Sequence, residues 1–271
     1  GAVAGDLWLK ASDTGRFLGA LGAGDVALPQ GLGRTTDVKL QMTLTPDRRL
    51  ALRELVADLD GNTLRGAADI TLNGTPNVNA QLSTGALNLA GFAGSTPQPG
   101  GAASTSTADA GWSKTPIDAS GLAAFNGEIA LRADNIELGT LSLGVTRILL
   151  RNDRSRLVAE LREANAYEGT VSGEFVVNNR NGLSVGGKLA AQAISMQPLL
   201  QQTVGLSRFK GIGDAELSFL GSGQSLDAIM RSLRGEGAIN VGRGSIDGID
   251  LDGLMGNFDV KGGTTVFDSL G

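Results

Sequence analysis

The stretch LRADNIELGTLSLGV, residues 131–145, alternates apolar and polar side chains with interruptions. Leu131 and Ala133 set a period of two. The phase slips around Asn135, where Ile136 and Leu138 take over, and again at Gly139-Thr140 before Leu141, Leu143 and Val145. Period two is the pattern of a strand with one apolar face, and a one-residue slip marks a bulge or tight turn. The same pattern predicts strands in TDVKLQMTLT (Val38, Leu40, Met42, Leu44), GEFVVN, LSVGGKLAAQAI (Val185, Leu189, Ala191, Ala193) and DAELSFLG (Ala215, Leu217, Phe219). The 41 glycines, about twice the average usage, sit mostly between such runs, where turns and bulges fall.

Helices are few. In GSGQSLDAIMRSLRGEG, Leu226, Ile229, Met230 and Leu233 follow helical spacing, Ser225 can cap the start, and Gly235 is placed to stop the helix. This short amphipathic helix is expected to pack against one end or edge of the sheet; a gate or docking role is the sharper alternative. MQPLLQQTVG is a second candidate, with Pro198 in its first turn. RRLALRELVADLD fits either period and is read as a strand because its neighbours are strands.

Residues 90–111, AGFAGSTPQPGGAASTSTADAG, are too poor in large apolar side chains to support a core and read as a flexible linker or loop. They divide a β-rich part, 1–89, from a longer β region with short helices, 112–271. Two lobes and one extended sheet with an insertion are both compatible with that division. A shift of 107 aligns Gly66 with Gly173, Val78 with Val185, Leu82 with Leu189 and Leu87 with Ile194, the mark of a repeated unit and an extendable sheet.

Composition narrows the chemistry. The 271 residues include no Cys and no His, which excludes Cys/His zinc sites, Ser-His-Asp triads and Cys-His dyads within the chain. A net charge of -5 gives no bulk positive field for nucleic acid. With 41% hydrophobic but only 4% aromatic residues, apolar surfaces must be built from Leu, Val, Ile and Ala. No apolar run approaches the ~20 residues of a membrane span, and GAVAGDLWLK has no signal-peptide character. The chain is read as an interior fragment with targeting and anchoring segments upstream. Asp247, Asp250 and Asp252 offer oxygen ligands but lack the order of a calcium loop. Glu160 and Glu163 read as solvated charges, and Ser113-Lys114 and Ser207 near Lys210 lack the S-x-x-K pattern. No catalytic residue, cofactor or metal site is expected, and the chain is read as a non-enzyme.

WSKTPIDASGLAAFNGEIALRADNIELGTLSLG, YEGTVSGEFVV, ISMQPLLQ and GIGDAELSFLGSGQSLDAIMRSLRGEGAINVGRGSIDGIDLDGLM together resemble the C-terminal region of AsmA-family proteins of Gram-negative bacteria. The likeness runs from Leu87 to about Asp259. It implies a periplasmic body tethered to the inner membrane and relatedness to TamB-like, bridge-type lipid-transfer proteins. The implied fold is mainly β: a long, curved, open antiparallel sheet forming a groove, with a few short amphipathic helices. Leu131, Ile136, Leu138, Leu141, Leu143, Val145, Val185, Leu189, Leu217 and Phe219 would line that groove. The implied role is outer-membrane biogenesis, with phospholipid or another lipid, the inner and outer membranes and envelope proteins as partners. Two alternatives stay open: a β-sandwich whose apolar face is covered, and a non-catalytic assembly scaffold.

Overall fold

The structure is a computed structural model and describes residues 1–20, 31, 33–90, 112–139, 141–204 and 209–246. The linker residues 91–111, the acidic run at Asp247, Asp250 and Asp252, Ser207 and Gly205 lie outside them.

The elements, in chain order, are β1 (Val3–Ala11), α1 (Thr14–Ala20), β2 (Thr36–Leu44), β3 (Arg49–Leu59), β4 (Asn62–Thr71), β5 (Asn77–Asn88), a 3-10 turn (Ser120–Ala123), β6 (Asn126–Leu138), β7 (Leu141–Leu143), β8 (Thr146–Asp153), β9 (Arg156–Ala166), β10 (Gly169–Asn178), β11 (Ser184–Ser195), α2 (Met196–Val204), β12 (Phe209–Ser222), α3 (Leu226–Ser232) and β13 (Arg234–Ile246). All 13 strands belong to one open sheet that follows chain order from β1 to β13, with β7 pairing beside β6. The parts before and after residues 90–111 therefore share a single sheet. Every junction is antiparallel except β5 with β6. There the connection through residues 89–125 carries the chain from one set of strand ends to the other, as a parallel pair requires.

The strand ends form two long rims. The first runs past Ala11, Leu59, Asn88 and Ala166, and the second past Leu44, Thr71, Asp153 and Ser222. Between them the apolar series steps by three instead of two on strand after strand. It runs from Leu52 to Leu55 on β3, Ala133 to Ile136 on β6, Leu161 to Ala164 on β9 and Ala191 to Ile194 on β11. Each step adds one residue, bends its strand and keeps Leu, Ile or Ala on the same face. On β6, β9 and β11 the steps fall within two residues of one another in register, toward the first rim, and crease the sheet there, while the step on β3 lies nearer the second rim; bulges of this kind curve a sheet toward a trough. The slip read around Asn135 is part of this crease: Ala133 (0% exposed) and Ile136 (3%) pack in one cluster with Leu87. Ala193 does not continue the apolar series. It sits in the bulge at φ 53°, its N–H bonded to Asp214 Oδ1 at 2.9 Å, and Ile194 takes the buried position.

The 107-residue repeat is geometric as well as textual. The strands β3, β4 and β5 recur as β9, β10 and β11 with equal lengths. Gly66 faces Leu82 as Gly173 faces Leu189, and Ile70 faces Val78 as Val177 faces Val185. The two-residue turns match too: Asp60-Gly61 and Tyr167-Glu168 all have positive φ, the conformation that follows strand twist. Side chains other than Gly there explain why the second turn carries no glycine signal. RRLALRELVADLD is strand β3, as its neighbours suggested.

A continuous apolar face as the candidate functional site

Directly opposed residues of adjacent strands share a face, so the register assigns every side chain. One row crosses ten strands: Leu55, Gly66, Leu82, Leu131, Ile148, Leu161, Gly173, Leu189, Leu217 and Gly237. Rows on either side hold Val38, Ala57, Leu64, Ile129, Leu150, Ala159, Phe175 and Phe219. No described strand position in register on this face, from β1 to β13, carries a charge. The reverse face carries the charges, as in the row Glu160, Glu174, Lys188, Ser218 and Glu236. Its ion pairs include Arg151 with Glu128 and Glu160 and Arg147 with Glu163, so the two carboxylates singled out in the sequence are paired to arginines. A shallow depression on that reverse side mixes both kinds of side chain, Glu174, Lys188, Arg234 and Glu236 beside Val176 and the exposed Leu220.

Of the residues expected to line a groove, Leu131, Leu189 and Leu217 share the long row. Val185 lies nearer the second rim between Val177 and Gly221. The Phe219 ring lies over Gly187, where a Cβ would approach it to 2.8 Å, and stands 6.0 Å from the Phe175 ring. Ile136, Leu138, Leu141 and Leu143 pair with one another beyond the crease and close the first rim. Val145 does not join them. It falls between β7 and β8, where its carbonyl accepts from Asn165 N–H, and the β8 series passes instead to Thr146, Ile148 and Leu150. The run ILLR hid that parity because adjacent apolar residues face opposite ways. Leu82 could have been found: the repeat already aligned it with Leu189.

Exposure along the face is uneven. Phe175 (42%), Leu217 (47%) and Ile239 (54%) stand open to solvent near the β13 end, while the first rim is packed. There Asp60 Oδ2 accepts from the N–H groups of Gly31, Gly33 and Arg34, and Oδ1 from Thr35 N–H and hydroxyl, at 2.6–3.0 Å. Partial burial alone would raise the Asp60 pKa. The backbone donors Thr35, Arg34 and Gly31 and the Thr35 hydroxyl outweigh it and hold the carboxyl well below the usual range. A depressed pKa stabilises the fold above the ordinary carboxylate range, and that contribution is lost as pH falls through it. Asp60→Asn should therefore cost about 2 kcal/mol at neutral pH and flatten the acid limb of the stability curve below about pH 4, as measured by denaturant melts at each pH. An unchanged acid limb would remove Asp60 as its source.

The second rim carries α3. The Ser225 hydroxyl accepts from Ala228 N–H at 3.2 Å, and Arg231 pairs with Asp227 at 2.9 Å. Gly221, opposite Val185, leaves the space in which Ile229 sits, so the helix packs on the apolar side of the sheet. Ile229 is buried, Leu226 and Met230 are half-buried, and Leu233 is exposed because it is already the non-helical cap. Gly235 does not end the helix. It belongs to β13, where a side chain would press on the Ser218 carbonyl. Ile229→Asp should release this corner at a cost of about 3 kcal/mol, read as faster amide exchange at residues 221–233 with the β2–β5 region unchanged. Uniform loss of protection instead would place α3 in the global folding unit.

Residues 113–117 line α3: Ile117 N–H bonds to the Gln224 carbonyl at 2.7 Å and Asp227 N–H to the Ser113 carbonyl at 3.0 Å. Further along, Asn152 Nδ2 holds the Leu122 and Phe125 carbonyls at 2.9 and 2.7 Å. This segment thus follows the second rim on the apolar side.

The fold and this face define a class: an open β-sheet protein, 13 strands in one sheet, whose in-register strand positions on one face are uncharged. The family model of the AsmA family matches residues 7–267, and the chain belongs to that family. No curated protein and no solved structure matches it. Membership is consistent with a role in the cell envelope and outer-membrane biogenesis. Among the described residues, no helix is long and apolar enough to cross a membrane.

Proposed function

We propose that this chain is a periplasmic, non-catalytic part of an inner-membrane-tethered protein and carries phospholipid acyl chains along the trough between the two membranes. The observation that supports this reading is the charge-free face. A polypeptide backbone laid on it would find no hydrogen-bond partners, whereas hydrocarbon needs none. At about 4.8 Å per strand, the row across ten strands extends for roughly 45 Å, which suits chains lying along the sheet rather than in one pocket.

The test is mass spectrometry of an organic extract from protein purified without detergent, beside its mass in native conditions. Phospholipid travelling with a monomer is the expected result. A lipid-free chain paired face to face with a second copy, or covered by an envelope protein, would overturn it in favour of an assembly scaffold.

A further inference from the structure

We propose that the reverse face of the sheet binds a carboxylate-bearing glycan along a single row of side chains, whether or not the opposite face carries lipid. The row is Trp8, Lys39, Val56, Arg65, Ser83, Arg132 and Arg147, paired residue to residue across β1 to β6 and β8. Trp8 is 65% exposed on β1, the outermost strand at that end of the described sheet, and Lys39 Nζ stands 5.1 Å from its ring centroid. Arg132 pairs with Asp134 at 3.0 Å and Arg147 with Glu163 at 3.6 Å, but neither Lys39 nor Arg65 has a carboxylate within ion-pair distance among the described residues. Carboxylates on neighbouring positions of this face are held by other donors. Asp37 accepts from Trp8 Nε1 at 2.7 Å and pairs with Lys10 at 3.4 Å, Asp58 accepts from Gly61 N–H at 2.9 Å, and Asp69 pairs with Arg53 at 2.7 Å.

At about 4.8 Å per strand, Lys39, Arg65 and Arg132 stand at intervals of roughly 10 Å, with the uncharged Val56 and Ser83 between them. The adjoining row on the second-rim side is uncharged as well: Ala67, Gln81, Ala130 and Leu149. On the first-rim side an open depression holds Asp58 and Thr63 beside Lys10 and Lys39. This mixture suits a sugar polymer: an exposed aromatic ring for the apolar faces of its sugars, hydroxyl, amide and carboxylate groups for its hydroxyls, and spaced cations for its carboxylates. An acidic peptide fits less well. Its alternate side chains repeat at about 7 Å along an extended chain, and they meet repulsion from Asp37 and Asp58 where a sugar hydroxyl would donate.

The experiment measures fluorescence anisotropy of three probes carrying the same fluorophore, at about 50 mM salt, where charge contacts are only partly screened. They are hexamannuronate, cellohexaose, which has no carboxylate, and hexaglutamate. Hexamannuronate should bind, and the other two at least about tenfold more weakly. Lys39→Ala combined with Arg65→Ala should weaken it about tenfold, since each exposed charge contact contributes up to about fivefold, and Trp8→Ala should weaken it too. Lys188→Ala combined with Arg234→Ala removes two cations from the same face outside the row and should shift the midpoint less than about twofold. All five side chains are exposed, so thermal melts should confirm that every variant folds. No binding of hexamannuronate, unchanged binding after Lys39 and Arg65 are replaced, or equal loss in both double variants would overturn the proposal. Equally tight cellohexaose would overturn the role of carboxylates, and equally tight hexaglutamate would replace the glycan by an acidic peptide.

Discussion

Gly173→Ala should destabilise the protein by about 3 kcal/mol or more, and Gly66→Ala by a similar amount, although each adds one methyl group. A Cβ on Gly173 would collide with the Lys188 carbonyl oxygen of the next strand, and one on Gly66 with the Gln81 carbonyl oxygen. Those two carbonyls are equivalent in the repeat, so the two sites meet the same obstacle. Gly173 also has φ 149°, which a side chain resists. The obstacle is backbone, which no rotamer change relieves. At roughly 2–4 °C per kcal/mol for a chain of this size, thermal melts followed by circular dichroism should fall by about 10 °C for each variant. The sites lie on β4 and β10, well separated in the sheet, so the double variant should show nearly the sum. A melting temperature within about 2 °C of the parent for either single variant would mean that the strands separate at little cost and that the close approach is not essential.

The second large effect separates the two faces at adjacent residues. Leu217→Asp should reduce co-purifying lipid at least about tenfold with little loss of stability, because Leu217 is already half exposed and its replacement breaks little packing. Under an acyl chain the same carboxylate would be desolvated without a partner, a penalty of several kcal/mol, and 1.4 kcal/mol is already a tenfold change. Ser218→Asp adds the same charge one residue later, on the reverse face opposite Lys188, and should leave the lipid content unchanged. Equal lipid in all three proteins would mean that the trough is not where lipid sits. Equal loss in both variants would point to net charge rather than to the face.

The strand content and the apolar alternation were legible because every strand but the three-residue β7 runs for eight or more residues, most of them amphipathic, as in residues 36–44 and 184–195. The helix at 226–232 was legible from its cap and spacing. Val145 and Ala193 were misplaced for one reason: a period-two reading carries on through a slip whose position it cannot fix to the residue. Val145 lies just past one slip and Ala193 within another. The parallel junction of β5 with β6 was not legible, since it depends on where the connection through residues 89–125 delivers the chain. The candidate face was half legible. Leu131, Leu189 and Leu217 came from alternation, while Ile148 and Leu150 were hidden in a run of adjacent apolar residues.

By itself the sequence determined the chemistry of the surface and the unit that builds it. Alternation put uncharged, mostly aliphatic side chains on one side of the strands and left the charges to the other. The absence of Cys and His removed the reactive groups those residues supply, and the 107-residue shift marked the repeated unit. Tertiary structure decided that these sides join into one face. Register across strands is set by backbone pairing between residues distant in the chain, by bulges that shift that pairing by one residue, and by glycines at which two backbones come closer than any side chain allows. None of these is a property of a single strand.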